Sequence, residues 1–271
     1  MIKVPGYEAE RVLDRGSMAT VYRARSERTG EVVALKWLRR GADVTPRHVS
    51  RFLREAGLVQ SLEHEHIVPV LDSGATYTGF FIVMEYVGGG DLTRYTDSPQ
   101  SIQVALDTVI AIAGALGVAH EQGLVHRDVK PANILLCDPR TPLLADFGVA
   151  KHLDSETLTA SDSMIGSVHY MSPEQIEGRE IDGRADFYSL GVVFYELLSG
   201  QRPFCGKTAI QVLMKHMQMP VPELPESCRS AQPLLQRMMA KKPLDRFDNA
   251  SELVEAATTL RNSLTQVRLR R

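Results

Sequence analysis

A chain of 271 residues, 44% hydrophobic and 24% charged, has the length and texture of one two-lobed enzyme domain or two small domains, not of a disordered segment. Its formal net charge of −2 gives no bulk signal for nucleic acid or a membrane surface. It has no uninterrupted apolar run of spanning length and no signal-peptide core, and Cys137, Cys205 and Cys228 read as free thiols of a reducing cytosol.

The N-terminal third reads mainly as strand. Residues 7–15, 19–27 and 31–39 are short segments with apolar alternation, and Thr29-Gly30 reads as the turn between the last two. Through 45–63, Phe52, Leu53, Ala56, Val59 and Leu62 recur at three- and four-residue spacing, which predicts a helix. Residues 67–74 and 79–87 again read as strands. At Gly88-Gly89-Gly90-Asp91 the texture changes, and the glycines permit a hinge. Residues 102–123 predict a long apolar helix. Residues 185–200, apolar almost all round, predict a buried central one. Residues 209–264 read as mostly helical, broken at 219–227 and 241–247. There is no internal repeat or low-complexity block.

The strongest chemical signal is VHRDVKPANILL, Val125 to Leu136, with Asp128, Lys130 and Asn133, followed by LLADFGVAK with Asp146. Phosphoryl transfer to a hydroxyl needs a carboxylate to orient the hydroxyl and accept its proton. It needs a cation for the moving phosphate and hard oxygen ligands for a divalent metal. Asp128, Lys130, Asn133 and Asp146 are that set.

On these residues the chain resembles the eukaryotic-type (Hanks-type) serine/threonine protein kinases, from about Tyr7 to Leu260 and in the family's motif order. The phrases GSMATVY, YMSPEQ and RADFYSLGVVFYELLSGQRPF look most like its bacterial members. The resemblance implies an α+β bilobal protein kinase fold. Residues 1–87 would form a small, mainly antiparallel β lobe with one large helix that binds nucleotide. Residues 88–262 would form a larger, mainly helical lobe, and 263–271 a basic tail. It implies a kinase that uses ATP and Mg2+, or Mn2+, to phosphorylate Ser/Thr hydroxyls of protein substrates. VALK places Lys36 on the α- and β-phosphates, and Glu55 is the glutamate that pairs with it. Asp128 is the base, Lys130 meets the transferring phosphate, and Asn133 and Asp146 bind the metal.

The same resemblance places the nucleotide. Leu13, Val21 and Ala34 roof the adenine, with Leu135 as floor and Met84 as gatekeeper. The backbone of Glu85 and Val87 holds the base, Asp91 the ribose, and Gly16 and Ser17 cover the phosphates. The loop RVLDRGSMATVYRA departs from G-x-G-x-x-G-x-V. It keeps Gly16 but has Asp14 and Ala19 for glycines, so Asp14 sets a carboxylate near the ribose end.

Further roles follow from the resemblance. His126 packs with Phe147 in the core and has no catalytic job. Arg127 receives a loop phosphate, and Ser167 bridges Asp128 and Lys130. Glu174 pairs with Arg246, and Asp186 caps the catalytic-loop backbone. His64 and His66 match the family's L-x-H-P-N-I-V turn and are not metal ligands. Among the hydroxyls of 149–165, Thr159, Ser161 and Ser163 are the activation-loop phosphosite candidates, either for self-phosphorylation or as plain polar loop residues. A pseudokinase or a small-molecule kinase are the competing functions. The full catalytic set argues against the first and the SPE segment against the second. Partners implied are ATP, a protein substrate and a homodimer through the N-terminal lobe, without nucleic acid or membrane insertion by this chain. The expected compartment is the cytoplasm, with room for a membrane anchor in a longer parent.

Overall fold

The computed structural model describes residues 2, 4–16, 19–39, 45–147 and 167–269. β1 (Tyr7–Arg15), β2 (Ala19–Ser26) and β3 (Val32–Arg39) form an antiparallel meander. α1 (Pro46–Gln60) follows, then β4 (Val70–Ala75) and β5 (Gly79–Glu85), in a five-stranded sheet of order β1-β2-β3-β5-β4. Strand alternation splits β3. Val33, Leu35 and Trp37 pack with Phe81 and Val83 in one cluster, while Leu38 belongs to the main core. α1 buries Phe52, Ala56 and Val59 in that core with Phe80 and Ile82. Phe52 is fully buried, its ring centroid 4.9 Å from that of Phe80. Truncating it to alanine would cost about 3–5 kcal/mol.

The apolar run at 67–69 does not extend β4 as the sequence suggests. Val68 N donates to Leu144 O at 2.9 Å and Leu144 N to His66 O at 2.8 Å, so this run is spent on tying the sheet lobe to the helical one. At the hinge, a Cβ on Gly89 would meet Leu136 O at 2.1 Å, so only glycine allows this approach of two backbones.

Beyond the hinge lie α2 (Ile102–Glu121), β6 (Ile134–Asp138), β7 (Thr141–Leu144) and the short α3 (Pro173–Ile176). Then come α4 (Arg184–Ser199), α5 (Ala209–Gln218), α6 (Gln232–Met238) and α7 (Ala250–Leu269). Ser101 caps α2 by accepting from Val104 N. By length and composition α2 could cross a membrane, yet Leu106, Val109, Ile112 and Leu116 are fully buried in the core that also takes in residues of α4 and α7. α4 is buried without a break from Ala185 to Phe194, as its all-round apolar sequence requires. α7 continues as helix through 263–269, residues whose composition marked them as a tail.

Candidate active site

The chain between α2 and β6 carries the densest chemistry. Arg127 (φ 64°) and Asp146 (φ 60°) are the non-glycine residues at positive φ among those described. Such backbone costs of order 1–3 kcal/mol and persists where its surroundings over-determine it, which is common at functional sites. The restraints on the first are visible. Asp186, buried in α4, accepts from His126 N and Arg127 N, both at 2.8 Å. The His126 ring lies fully buried, 4.7 Å from Phe147. Burial pushes its pKa down and keeps it neutral. Its Nε2–H donates to Ala145 O at 2.9 Å while Nδ1 accepts from Asp128 N at 3.3 Å. These two partners fix the tautomer and tie the backbone of Asp128 to the segment that carries Asp146.

Four side chains then meet. Lys130 Nζ lies 2.9 Å from Asp128 Oδ2 and 3.0 Å from Ser167 Oγ. Asn133 Nδ2 donates to Asp128 O at 2.8 Å and to Asp128 Oδ2 at 3.1 Å. That commitment settles the orientation of the Asn133 amide, with Nδ2 spent on Asp128.

Lys36 differs from expectation. Its ion pair is with Asp146 Oδ1, at 2.9 Å, and no ion pair joins it to Glu55 among the described residues. Glu55 is 7% exposed on α1, along the same face as Phe52 and Val59. The reason lies in the backbone. The left-handed turn at Asp146 aims its carboxylate at β3, and a half-buried ammonium takes the nearest counter-charge.

Of the residues assigned to the nucleotide, several have defined neighbours in the sheet and the main core. Ala34 is opposite Met84, and Val21 opposite Lys36, in the sheet register. Ala34, Val87 and Leu135 pack against the main core, and Asp91 bridges to Leu135. Glu85 N donates to Pro69 O at 3.0 Å, so a base meeting Glu85 meets its carbonyl. Asp91 Oδ1 caps the turn at Leu92–Tyr95 by accepting from the backbone and hydroxyl of Thr93. Leu13 is 37% exposed beside a bulge in β1, and Gly16 N donates to Ala19 O at 2.9 Å, closing the β1–β2 tip. Asp14 is exposed, its Oδ1 accepting from Arg15 N at 2.8 Å. Ser17 and the phosphosite candidates Thr159, Ser161 and Ser163 lie outside the described residues.

Below Ser167, Tyr170 O–H donates to Glu196 Oε2 at 2.6 Å, and Arg202 Nε lies 3.4 Å from Glu196 Oε1. Burial pushes both the Tyr170 hydroxyl and the Glu196 carboxyl up. This network, and the contacts of His120 with Asp186 (2.8 Å) and of Gln175 with Arg127 (3.0 Å), were not visible in the sequence. Except for Arg202 and Glu196, their partners lie 26 to 66 residues apart, and no local pattern marks them.

A model of the protein kinase domain matches residues 7–257. The chain is 37% identical to a probable serine/threonine-protein kinase of Clostridium perfringens, over 92% of this chain and 37% of that protein. It is 37% identical to the serine/threonine-protein kinase PrkC of Bacillus subtilis, over 91% of this chain and 39% of that one. The chain thus spans about two-fifths of the curated relatives it matches. The crystal structure of the Mycobacterium tuberculosis PknI kinase domain superposes with a TM-score of 0.75 at 30% identity, covering 96% of this chain and 97% of that one. That family uses ATP and a divalent metal and acts on protein. With strained loop, lobes and sequence in agreement, this chain belongs to the protein kinase domain family, alongside its bacterial serine/threonine members.

Proposed function

We propose that this domain transfers the γ-phosphate of ATP to Ser/Thr hydroxyls of protein substrates and is activated by phosphorylation of its own loop. The observation that carries this is the single hydrogen-bonded cluster of Asp128, Lys130, Asn133 and Ser167. Asp128 orients the substrate hydroxyl and accepts its proton as that oxygen bonds to the γ-phosphorus. The bond to the bridging oxygen breaks and ADP leaves. Lys130 neutralises charge on the transferring group, and Lys36 holds the α- and β-phosphates. In the nucleotide-bound enzyme Lys36 pairs with Glu55, as the family resemblance implies.

The donor set suits Mg2+, with Mn2+ as substitute: one amide oxygen from Asn133 and one carboxylate from Asp146, both hard ligands. The metal would supply charge neutralisation on the phosphates. Leu13, Val21, Ala34 and Leu135 enclose adenine. Glu85 and Val87 bind its edge, Asp91 the ribose, and Gly16 with Ser17 the phosphates. Residues 1–87 are the nucleotide lobe, 88–262 the catalytic and docking lobe, and 263–271 the tail. Thr159, Ser161 and Ser163 are the phosphate acceptors, read by Arg127. A net charge of −2 supports protein rather than nucleic acid as partner. The burial of α2 supports reading it as a core helix rather than a membrane span; the cytoplasmic compartment and pairing through the N-terminal lobe are carried over from the family resemblance alone.

The test is transfer of radiolabelled γ-phosphate to a protein substrate, with Asp128→Asn beside it. Loss of about 10²- to 10⁴-fold in rate is expected. Transfer that survives the substitution intact removes Asp128 as the base.

A further inference from the structure

Gln175, the residue after Glu174 in MSPEQ, has no role in the readings above, yet its side chain spans two functional segments. Its Oε1 accepts from Ser172 N at 3.0 Å and from Ser172 Oγ at 3.1 Å. Its Nε2 donates to Arg127 O at 3.0 Å. A backbone N–H demands an acceptor and a carbonyl demands a donor, so the partners leave no freedom to flip the amide.

The carbonyl that Gln175 holds belongs to the peptide joining Arg127 to Asp128. The N–H of that same peptide is held by His126 Nδ1. On the other side of Arg127, Asp186 holds its own N–H. Arg127 is left-handed, so its peptides must be pinned by outside groups to stay there. Asp186 and His126 pin them from the core. Gln175 pins them from the segment that also carries Ser167 and Tyr170, where Ser167 meets Lys130.

We propose that Gln175 is a positioning residue for phosphoryl transfer: its carboxamide fixes the Arg127–Asp128 peptide, and so the Asp128 carboxylate, to the substrate-docking segment. This rests on Asp128 being the base. Gln175 touches neither nucleotide nor hydroxyl. Its effect belongs in the rate of the chemical step, with ATP binding untouched.

Gln175→Glu is the informative substitution. It keeps the shape and the acceptor for Ser172, but at neutral pH it turns a carboxylate oxygen toward Arg127 O. We expect kcat to fall about 10- to 100-fold, with KM for ATP within about twofold. The melting temperature should stay within about 4 °C. Protonated, the new carboxyl regains an O–H donor. The ratio of variant to wild-type kcat should therefore climb as pH falls from about 8 to about 5.5. Arg127, Asp128, His126 and Asp186 adjoin the held peptide, and Glu174, paired with Arg246, precedes Gln175; all are present in both proteins, so the ratio sets the variant against the same titrating background. Gln175→Met, of similar volume and without a polar atom, should lose rate with a flat ratio, and it stands in if the glutamate variant does not fold. A wild-type kcat in either variant, or a pH-independent ratio for Gln175→Glu, overturns the proposal. Asp128→Asn in the same assay separates the two failures. If it abolishes transfer while both Gln175 variants remain at wild-type rate, only the positioning role is lost. If it leaves transfer intact, the reading of Asp128 falls instead.

Discussion

Arg246 grips Glu174 through two bonds, Nη1 to Oε1 at 2.6 Å and Nη2 to Oε2 at 2.8 Å, with both side chains almost wholly buried. Burial pushes the Glu174 carboxyl up, but the hydrogen bonds and charge of Arg246 outweigh it and hold the pKa below its usual value. Arg246 also donates to Ala240 O and Arg184 O, which joins α3 to the start of α4 and the turn after α6. Arg246→Ala should therefore strand a buried carboxylate and cost about 3–5 kcal/mol. Urea unfolding measures this, and a loss under about 1 kcal/mol would contradict the reading.

Lys130 shares its ammonium between Asp128 and Ser167. Ser167→Ala should release it and lower kcat about 10-fold or more. Ser167→Thr keeps the hydroxyl and should stay within about threefold of wild type. Steady-state assays at saturating ATP decide this. Equal rates in the alanine variant would show that the hydroxyl has no part in the step.

Asp14 sets an exposed carboxylate at the end of β1. At about 8 Å and an effective dielectric of about 40, each phosphate charge would repel it by roughly 1 kcal/mol before screening by solvent. Asp14→Gly and Asp14→Asn should both tighten ATP binding, by about two- to fivefold at low salt and less at high salt. Titration calorimetry at two ionic strengths reads the change. Unchanged or weaker affinity would remove Asp14 from the account of this loop.

His216 is fully buried in α5, its Nδ1 3.0 Å from Tyr188 Oη. Burial, then the charge of Lys241, lowers its pKa to about 3 from an ordinary 6.5. The folded pKa is the lower one, so between these values the unfolded chain binds the extra proton. Stability from this group is whole above pH 6.5 and drains as pH falls toward 3. By pH 5 that amounts to roughly 2 kcal/mol. The stability gap between wild type and His216→Gln in urea should shrink by about that much from pH 7 to pH 5. A constant gap would show that His216 titrates alike in both states.

Local pattern exposed much of this molecule. β3 holds its alternation through Trp37, and α1, α2 and α4 their helical spacing, because each must bury one face or all of itself. The short strands β6 and β7 escaped notice. Each is five residues or fewer, with Pro142 inside the second, too short for periodicity to register. Of the candidate site, the residue types and their order were legible, since Asp128, Lys130 and Asn133 fall within one short loop. The partner of Lys36 was not, because the turn at Asp146 that aims its carboxylate has no signature in residue type.

By itself, the sequence determined the two-lobed order of elements and the groups available for phosphoryl transfer. Those follow from side-chain chemistry and from periodicity over a few turns. Only the tertiary structure decided which groups restrain which. The left-handed peptide at Arg127 is held by Asp186 from 59 residues away and by Gln175 from 48 away. Such restraints are hydrogen bonds between segments that packing brings together, and a buried donor or acceptor takes whichever partner the fold sets beside it.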